Sequence, residues 1–480
     1  MSLKAKAVNG VLWSSIERFS VQGMQFVLTI IIARFVSPSD YGIVAMISVF
    51  LAIAQVFIDS GFSNALIQKK KRTEKDFSTV FYFNIVVAVL VYVFLFFASP
   101  YIAAFYDESR LNLLTKIIGL SLIISSFSIV QKTKLTIDLD FRKQAFASFI
   151  AVVVSGLVGI YMAYVGYGVW AIVCQSLLNN LCIVIMLFLL VRWHPKLEFS
   201  FLSFKSLCGF GFKILLSNLS HTIYVNLYNL IIGKKFSSSD LGYFNRAQTI
   251  AYFPSSNLSN IFSRVFYPTI CSIQEDDLKF HDTVLRFVGL VSYIIFPLMI
   301  GLNVLAYPLI ETVLTDKWLD AVPLLQLLSI AYMWEFMMTF NYNILSAKGQ
   351  AGFILKSEII KKILAVVLLV VLMNYGIKII CVGLICYSFI DICITSFFLK
   401  KACNIGLGSL LKTILPNLIL SCGMGIVVYC IVLFCNLSAG ISLVIGIFIG
   451  IIFYVMASYL VKNRAFYSLL SIIQSYKYNK

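Results

Sequence analysis

Three arginines, Arg18, Arg246 and Arg264, stand inside stretches of sequence that are otherwise built of apolar residues. A cation at such depth costs about 2.5–3.5 kcal/mol on insertion scales, so each needs a partner or a water-filled space. A guanidinium also presents forked donors that fit a phosphate group. Amides are embedded in the same way: Asn218 and Asn229 share a run with His221, Tyr224, Asn226 and Tyr228. The spacing of Asn218, His221 and Asn229 is close to one helix face. Glu17, Asp59, Glu335 and Asp391 complete the set, because a carboxylate at depth can titrate and couple a process to H+ or Na+. Cations and amides placed this way can bind anions and hydrogen-bonding groups, and the carboxylates can titrate. Structural readings compete with each assignment. Arg18 could snorkel to the surface or pair with Glu17, although neighbours on a helix point apart. Arg264 lies near a helix end, Asp59 could cap a turn beside Gly61, and the amides could tie helix to helix. A carboxylate could also pair with an arginine. The three histidines show no ligand spacing, so no metal site or other cofactor is expected.

The elements that must position these residues are membrane helices. Of 480 residues 60% are hydrophobic and only 12% charged, and mean hydropathy is +0.93. A soluble core cannot bury that much apolar surface, whereas lipid can solvate it. About 20 mostly apolar residues span the hydrocarbon, and fourteen stretches satisfy this at roughly 10–35, 42–66, 79–105, 111–131, 145–165, 168–191, 207–233, 242–270, 284–306, 322–347, 354–375, 379–399, 413–435 and 441–461. An all-α integral membrane fold follows. The gap from Tyr307 to Ala321 is expected to hold a short interfacial piece around Trp318. Most of the eleven cysteines lie in apolar runs and read as small hydrophobes. Near the N-terminus, Glu17 and Arg18 interrupt the apolar run and no small-residue cleavage site follows, so a cleaved signal peptide is not expected.

The net charge of +17 does not point to nucleic acid, because the Lys and Arg residues cluster in short gaps between spans. One face collects Lys69 to Arg72, Lys132, Lys134, Arg142, Lys143, Arg192, Lys196, Lys356, Lys361, Lys362, Lys400, Lys401 and the basic tail. The other keeps Arg34, Arg110, Lys234, Lys235, Lys317 and Lys378. The positive-inside rule then places both termini in the cytoplasm, with the basic face also meeting anionic membrane lipids. Glu275, Asp276 and Asp277 sit on that face too, but acidic residues count little in the rule.

An internal repeat is visible. Ile31-Ile32-Ala33-Arg34 leads into Ser37-Pro38-Ser39-Asp40-Tyr41-Gly42, and Ile231-Ile232-Gly233-Lys234 leads into Ser237-Ser238-Ser239-Asp240-Leu241-Gly242. Ser and Asp precede the next span in each copy and suit its N-terminal cap. A commonplace turn could recur by chance, yet the copies lie six spans apart and so share an orientation. The expectation is two parallel six-helix lobes around a central cavity, residues 1–200 and 201–401, followed by two further helices and a tail over 402–480.

An ordered series of local motifs carries a resemblance. It comprises the turn Ser37 to Gly42; Asp59-Ser60-Gly61-Phe62-Ser63-Asn64-Ala65-Leu66-Ile67-Gln68 before the basic loop; Phe77 to Phe81; and Gly166-Tyr167-Gly168-Val169-Trp170-Ala171. Leu241-Gly242-Tyr243-Phe244-Asn245-Arg246-Ala247, Arg264-Val265-Phe266-Tyr267-Pro268 and Lys317 to Leu325 follow. In these the chain resembles the polysaccharide flippases of the multidrug/oligosaccharidyl-lipid/polysaccharide exporter superfamily, which include O-antigen, colanic-acid and teichuronic-acid exporters. The resemblance covers roughly residues 5 to 400; the last two spans match in hydropathy alone. It implies a flippase of the bacterial inner membrane that carries an undecaprenyl-diphosphate-linked oligosaccharide between leaflets by alternating access. Glycosyltransferases and a polymerase of the same pathway would be its partners. A cationic cavity between lobes is implied as well, which favours Arg18, Arg246 and Arg264 as substrate ligands.

Two other functions are weighed. A membrane enzyme of polysaccharide assembly needs a sizeable outer loop bearing carboxylates or arginines, and the outer gaps are only a few residues long apart from 307–321. A multidrug exporter of the same superfamily has about twelve spans, so the extra pair and the basic loop after Gln68 favour the polysaccharide branch.

Overall fold

The computed structural model describes residues 20–59, 61–434 and 437–478. Within them the chain is a succession of helices: α1 (Ser20–Phe35), α2 (Pro38–Asp59), α3 (Phe62–Gln68), α4 (Glu74–Tyr106), α5 (Arg110–Ile118), α6 (Leu120–Ser126), α7 (Ile129–Ile137), α8 (Phe141–Val165), α9 (Val169–Val191) and α10 (Phe201–Lys235). Then follow α11 (Ser238–Ser272), α12 (Asp277–Val304), α13 (Ala306–Leu314), α14 (Ala321–Tyr332), α15 (Glu335–Ala347), α16 (Ala351–Leu372), α17 (Ile377–Cys403), α18 (Leu407–Phe434), α19 (Ala439–Leu460) and α20 (Arg464–Tyr478). Among the described residues each expected span is met by a helix or by a run of short helices; positions 10–19 of the first span lie outside them. Ten segments are long and apolar enough to cross a membrane on length and composition alone. The described parts of α1, α10, α11 and α16 fall outside that set. Among them, α10, α11 and α16 are the helices loaded with Lys, Arg, Asn and Ser.

Caps and breaks follow from local sequence. Thr73 starts α4 with a reciprocal capping box to Asp76, and Ser200 and Asp276 cap α10 and α12. Gly61 separates α2 from α3 at φ 68, a left-handed conformation that glycine enters without strain. Besides the α2–α3 segment, two further transmembrane segments are discontinuous, α5–α6–α7 and α14–α15. They are the fourth spans of the two expected repeats. Backbone freed by a break inside lipid must be satisfied by neighbours. The hydroxyls of Ser255 and Ser388 do this by donating to the Tyr332 and Ala331 carbonyls at 2.6 and 3.1 Å.

The chain separates into two compact units, Met1–Gly242 and Tyr243–Lys480. That packing boundary falls beyond residue 200 because α10 lies against α2, α3 and α4. In the first unit an aromatic cluster of Phe62, Phe77, Phe81 and Trp193 roots the basic loop. Trp193 donates to Glu74 at 2.6 Å, Lys134 lies over the Phe77 and Trp193 rings, and Lys69 pairs with buried Asp76 at 2.7 Å. The motif residues of that region are thus largely packing residues. In the second unit the core is a cluster around Phe266, Phe296, Phe336 and Phe340, with the Phe266 and Phe340 rings stacked 4.2 Å apart.

The C-terminal pair, α18 and α19, is fastened to α12 by buried polar contacts. Asn417 donates to the Gly289 carbonyl and to Ser292, Asn463 donates to Asn417, and Tyr454 donates to the Tyr293 carbonyl, all within 2.8–2.9 Å. Gly425, Gly446 and Gly450 let side chains of neighbouring helices approach closely. Small residues and interhelical hydrogen bonds are how helices associate where lipid removes the hydrophobic drive.

Candidate functional site

The densest group of buried charge lies in the second unit, where α15, α16 and α17 meet. Lys361 on α16 is 8% exposed and Asp391 on α17 is 2% exposed. The Lys361 ammonium donates to Glu358 at 2.6 Å, one helical turn away, and to Asp391 Oδ2 at 3.1 Å. The other Asp391 oxygen, Oδ1, is buried with no hydrogen-bond partner of acceptable geometry. Glu335 lies within electrostatic reach of both Asp391 and Lys361. It is the first residue of α15, so the break between α14 and α15 aims a helix N-terminus at the carboxylate, a favourable place for negative charge. One turn beyond Asp391, Thr395 donates to the Asp391 carbonyl and accepts from Asn341, both at 2.8 Å, while Asn341 Oδ1 is buried and unsatisfied. Two carboxylates, Glu358 and Asp391, thus share one ammonium with Glu335 nearby, beside two buried acceptors without hydrogen-bond partners.

The sequence placed Lys361 among the loop cations of the basic face. The structure instead buries it between helices. The available signal was Glu358 three residues earlier, a spacing that puts both side chains on one helix face.

The other site candidates are dispersed. Arg246, on α11, is 5% exposed and its guanidinium carbon lies 5.6 Å from the centroid of the Trp318 ring. Trp318 follows α13 in a short 3-10 turn and is fully buried, so the expected interfacial piece is folded into the protein with Trp318 as its anchor. A desolvated cation–π contact is worth about 2 kcal/mol. Arg246→Leu and Trp318→Leu should each lower stability, Trp318→Leu by more because it also leaves a cavity, and the loss in the double variant should fall about 2 kcal/mol short of the sum of the two. Thermal unfolding of the four proteins checks this; additive losses would mean the two side chains act separately. Arg264 is exposed on the same helix. Asn218 and His221 are exposed on α10, while Asn229 is half-buried with an unsatisfied Oδ1. Asp59 accepts a hydrogen bond from Ser63 at 2.6 Å across the α2–α3 turn. Glu17 and Arg18 lie outside the described residues.

The two copies of the repeated turn meet. Ser39 and Ser238 hydroxyls are 2.7 Å apart, and a Cβ on Gly42 would overlap the Ser238 carbonyl, as one on Gly242 would overlap that of Pro38. In each turn the leading serine donates to the following aspartate, at 2.8 Å for Ser37 and 2.7 Å for Ser237. Arg110 bridges Asp40 and Glu108, and its hydrogen bond holds the Glu108 carboxyl below its ordinary pKa. Glycine is needed here for close approach of two backbones.

An apolar cavity of about 510 Å³ lies between α12, α18 and α19. Leu298, Leu302, Met424, Gly446, Ile447 and Tyr454 are among the residues that line it, and almost none of its surface is polar.

Sequence and structure comparisons agree with this architecture. The family described as polysaccharide biosynthesis protein matches residues 31–323. The teichuronic acid biosynthesis protein TuaB of Bacillus subtilis (strain 168) is 27% identical over 355 residues, 73% of each chain. The lipopolysaccharide biosynthesis protein WzxC of Escherichia coli (strain K12) is 24% identical over 377 residues, 77% of this chain and 76% of that one. Among solved structures, the lipid II flippase MurJ in an inward closed conformation is similar at a TM-score of 0.76. That likeness covers 94% of this chain and 99% of MurJ at 16% identity, a likeness of fold. With well over half its length matched, this multi-pass membrane protein belongs to the polysaccharide biosynthesis protein family.

Proposed function

We propose that the protein is a flippase and not an enzyme. It carries an undecaprenyl-diphosphate-linked oligosaccharide, a repeat unit of an O-antigen, capsule or exopolysaccharide, from the cytoplasmic to the outer leaflet of the bacterial inner membrane. Its termini face the cytoplasm, and glycosyltransferases and a polymerase act before and after it. The observation that carries this reading is family membership in polysaccharide assembly combined with a chain that is nearly all membrane helix. Among the described residues the connections between helices are short, which favours a transporter over an enzyme with an extramembrane catalytic domain.

The physical difficulty is a diphosphate and many hydroxyls crossing hydrocarbon. Each hydroxyl without a partner costs about 2–7 kcal/mol, and an unpaired phosphate far more. Arg18, Arg246, Arg264, Asn218 and Asn229 are the proposed ligands that lower this cost. The polyprenyl tail stays in lipid, favoured by about 0.8 kcal/mol per methylene. The apolar cavity beside α18 and α19 suits part of that tail. Alternating access makes and breaks the contact between the turns at Ser39 and Ser238. We assign coupling, to H+ or Na+, to Glu335 and Asp391; one oxygen of buried Asp391 meets the Lys361 ammonium and the other has no hydrogen-bond partner.

Deleting the gene should leave the lipid-linked repeat unit accumulating with its sugars on the cytoplasmic side, and surface polysaccharide should disappear. Radiolabelled lipid extracts and protection of the glycan in sealed inverted vesicles read this out. A mutant that still displays full-length polysaccharide would refute the assignment.

A further inference from the structure

We infer that the junction of α17 and α18 is a binding site for the head group of an anionic phospholipid. The inference requires only a bilayer around the protein and is independent of the transported substrate. A cavity of about 500 Å³ opens there, lined among others by His281, Ser396, Phe397, Lys400, Asn404 and Ser409. Three features converge on it.

The first is a graded stripe. Cys393, Phe397, Lys400 and Asn404 recur at helical spacing along one face of α17, and all four are exposed. The face passes from apolar to cationic to neutral polar over the last three turns of the helix. That order matches an acyl chain running into its head group. The second is the start of α18, a helix of 28 residues. Its first amides, at Leu407, Gly408 and Ser409, precede the first intrahelical acceptor and carry the positive end of the dipole. Glycines at 406 and 408 leave this end open, and a Cβ at Gly406 would stand 3.7 Å from Lys400 Cδ, so the lysine stem runs alongside it. Among the described residues no carboxylate pairs with Lys400. The third is independent of charge. Ser396 is 1% exposed, lines the cavity, and its hydroxyl has no hydrogen-bond partner. A buried hydroxyl is normally satisfied, so this one is completed by a ligand acceptor. A phosphodiester oxygen supplies that acceptor, and its charge meets both Lys400 and the α18 amides.

A bilayer offers phosphodiester with an acyl anchor, whereas cytosol offers free phosphate; the stripe favours the lipid. The test uses the purified full-length protein in detergent micelles, titrated with phosphatidylglycerol, phosphatidylcholine or inorganic phosphate. Native mass spectrometry counts bound lipid, and thermal unfolding reports affinity. The proposal expects saturable retention of one phosphatidylglycerol, with affinity about fivefold weaker in Lys400→Gln and in Ser396→Val. Lys378→Gln, at the opposite end of α17, should bind as the unaltered protein does. Equal binding of phosphatidylcholine, equal binding by Lys400→Gln, or protection by inorganic phosphate alone would each overturn it.

Discussion

Replacing Lys361 with methionine is expected to destabilise the protein by about 3–5 kcal/mol, the largest single effect of any substitution considered. The ammonium is the only cation within ion-pairing distance of Asp391 among the described residues. Removing it leaves a buried, uncompensated carboxylate, and that penalty exceeds the net worth of the pair itself. Asp391→Leu should cost less, because Lys361 keeps Glu358 as a partner. The double variant Lys361→Met with Asp391→Leu should recover most of the loss, since apolar side chains of similar volume replace the whole pair without desolvating a charge. Thermal denaturation of the four purified proteins reads the cycle. Transport supplies the second readout. If Asp391 carries the coupling ion, the stabilised double variant folds and no longer drives accumulation. A single substitution costing under 1 kcal/mol would show that water reaches the pair, and a double variant with normal coupling would remove the ion-coupling role.

The contact between the repeated turns is expected to be equally sensitive. Cysteines replacing Ser39 and Ser238 in a background depleted of native cysteine should form a disulfide readily, since the native hydroxyls are 2.7 Å apart. Locking the turns together should stop transport, and reduction should restore it. Adding Gly242→Ala should cut cross-link formation about tenfold, because its methyl group would overlap the Pro38 carbonyl, and overpacking of this kind costs about 1–3 kcal/mol. Turns that stay together throughout the cycle would give a cross-linked protein with an unchanged rate. That outcome would contradict the moving contact.

How much of this was legible in the sequence differs by level. Hydropathy located the helices because lipid forces spanning segments to be helical and largely apolar, a constraint that ten of the described segments carry in their own sequence. The turns at Ser37 and Ser237 were legible for a similar reason: their serines and aspartates bond within four residues. Lys361 was not. Its neighbours Lys356 and Lys362 read as a basic loop; Glu358 signals a pairing on the same helix face, but burial follows from Asp391, thirty residues away on another helix. Trp318 gave the same difficulty, since a tryptophan in a short gap fits an interfacial anchor until Arg246 is found over its ring. The break between α14 and α15 carries neither glycine nor proline and passes for continuous helix. Its freed carbonyls are satisfied by Ser255 and Ser388 from elsewhere in the chain, partners that local sequence does not name. Among the candidate ligands the sequence selected polar residues within apolar runs, and in the described structure they are dispersed along α10 and α11. Which of them share a site is a property of helix rotation, and periodicity over a single helix does not fix it.

The central claim is movement of a lipid-linked glycan between leaflets, and reconstitution tests it most directly. The purified protein is placed in sealed proteoliposomes with a polyprenyl-diphosphate oligosaccharide bearing a fluorescent sugar, and the label in the outer leaflet is quenched by a membrane-impermeant reductant. The account predicts that the protected fraction falls with time in vesicles containing the protein and stays constant in protein-free vesicles. A protected fraction that stays constant in both, with the protein folded and inserted, would contradict it.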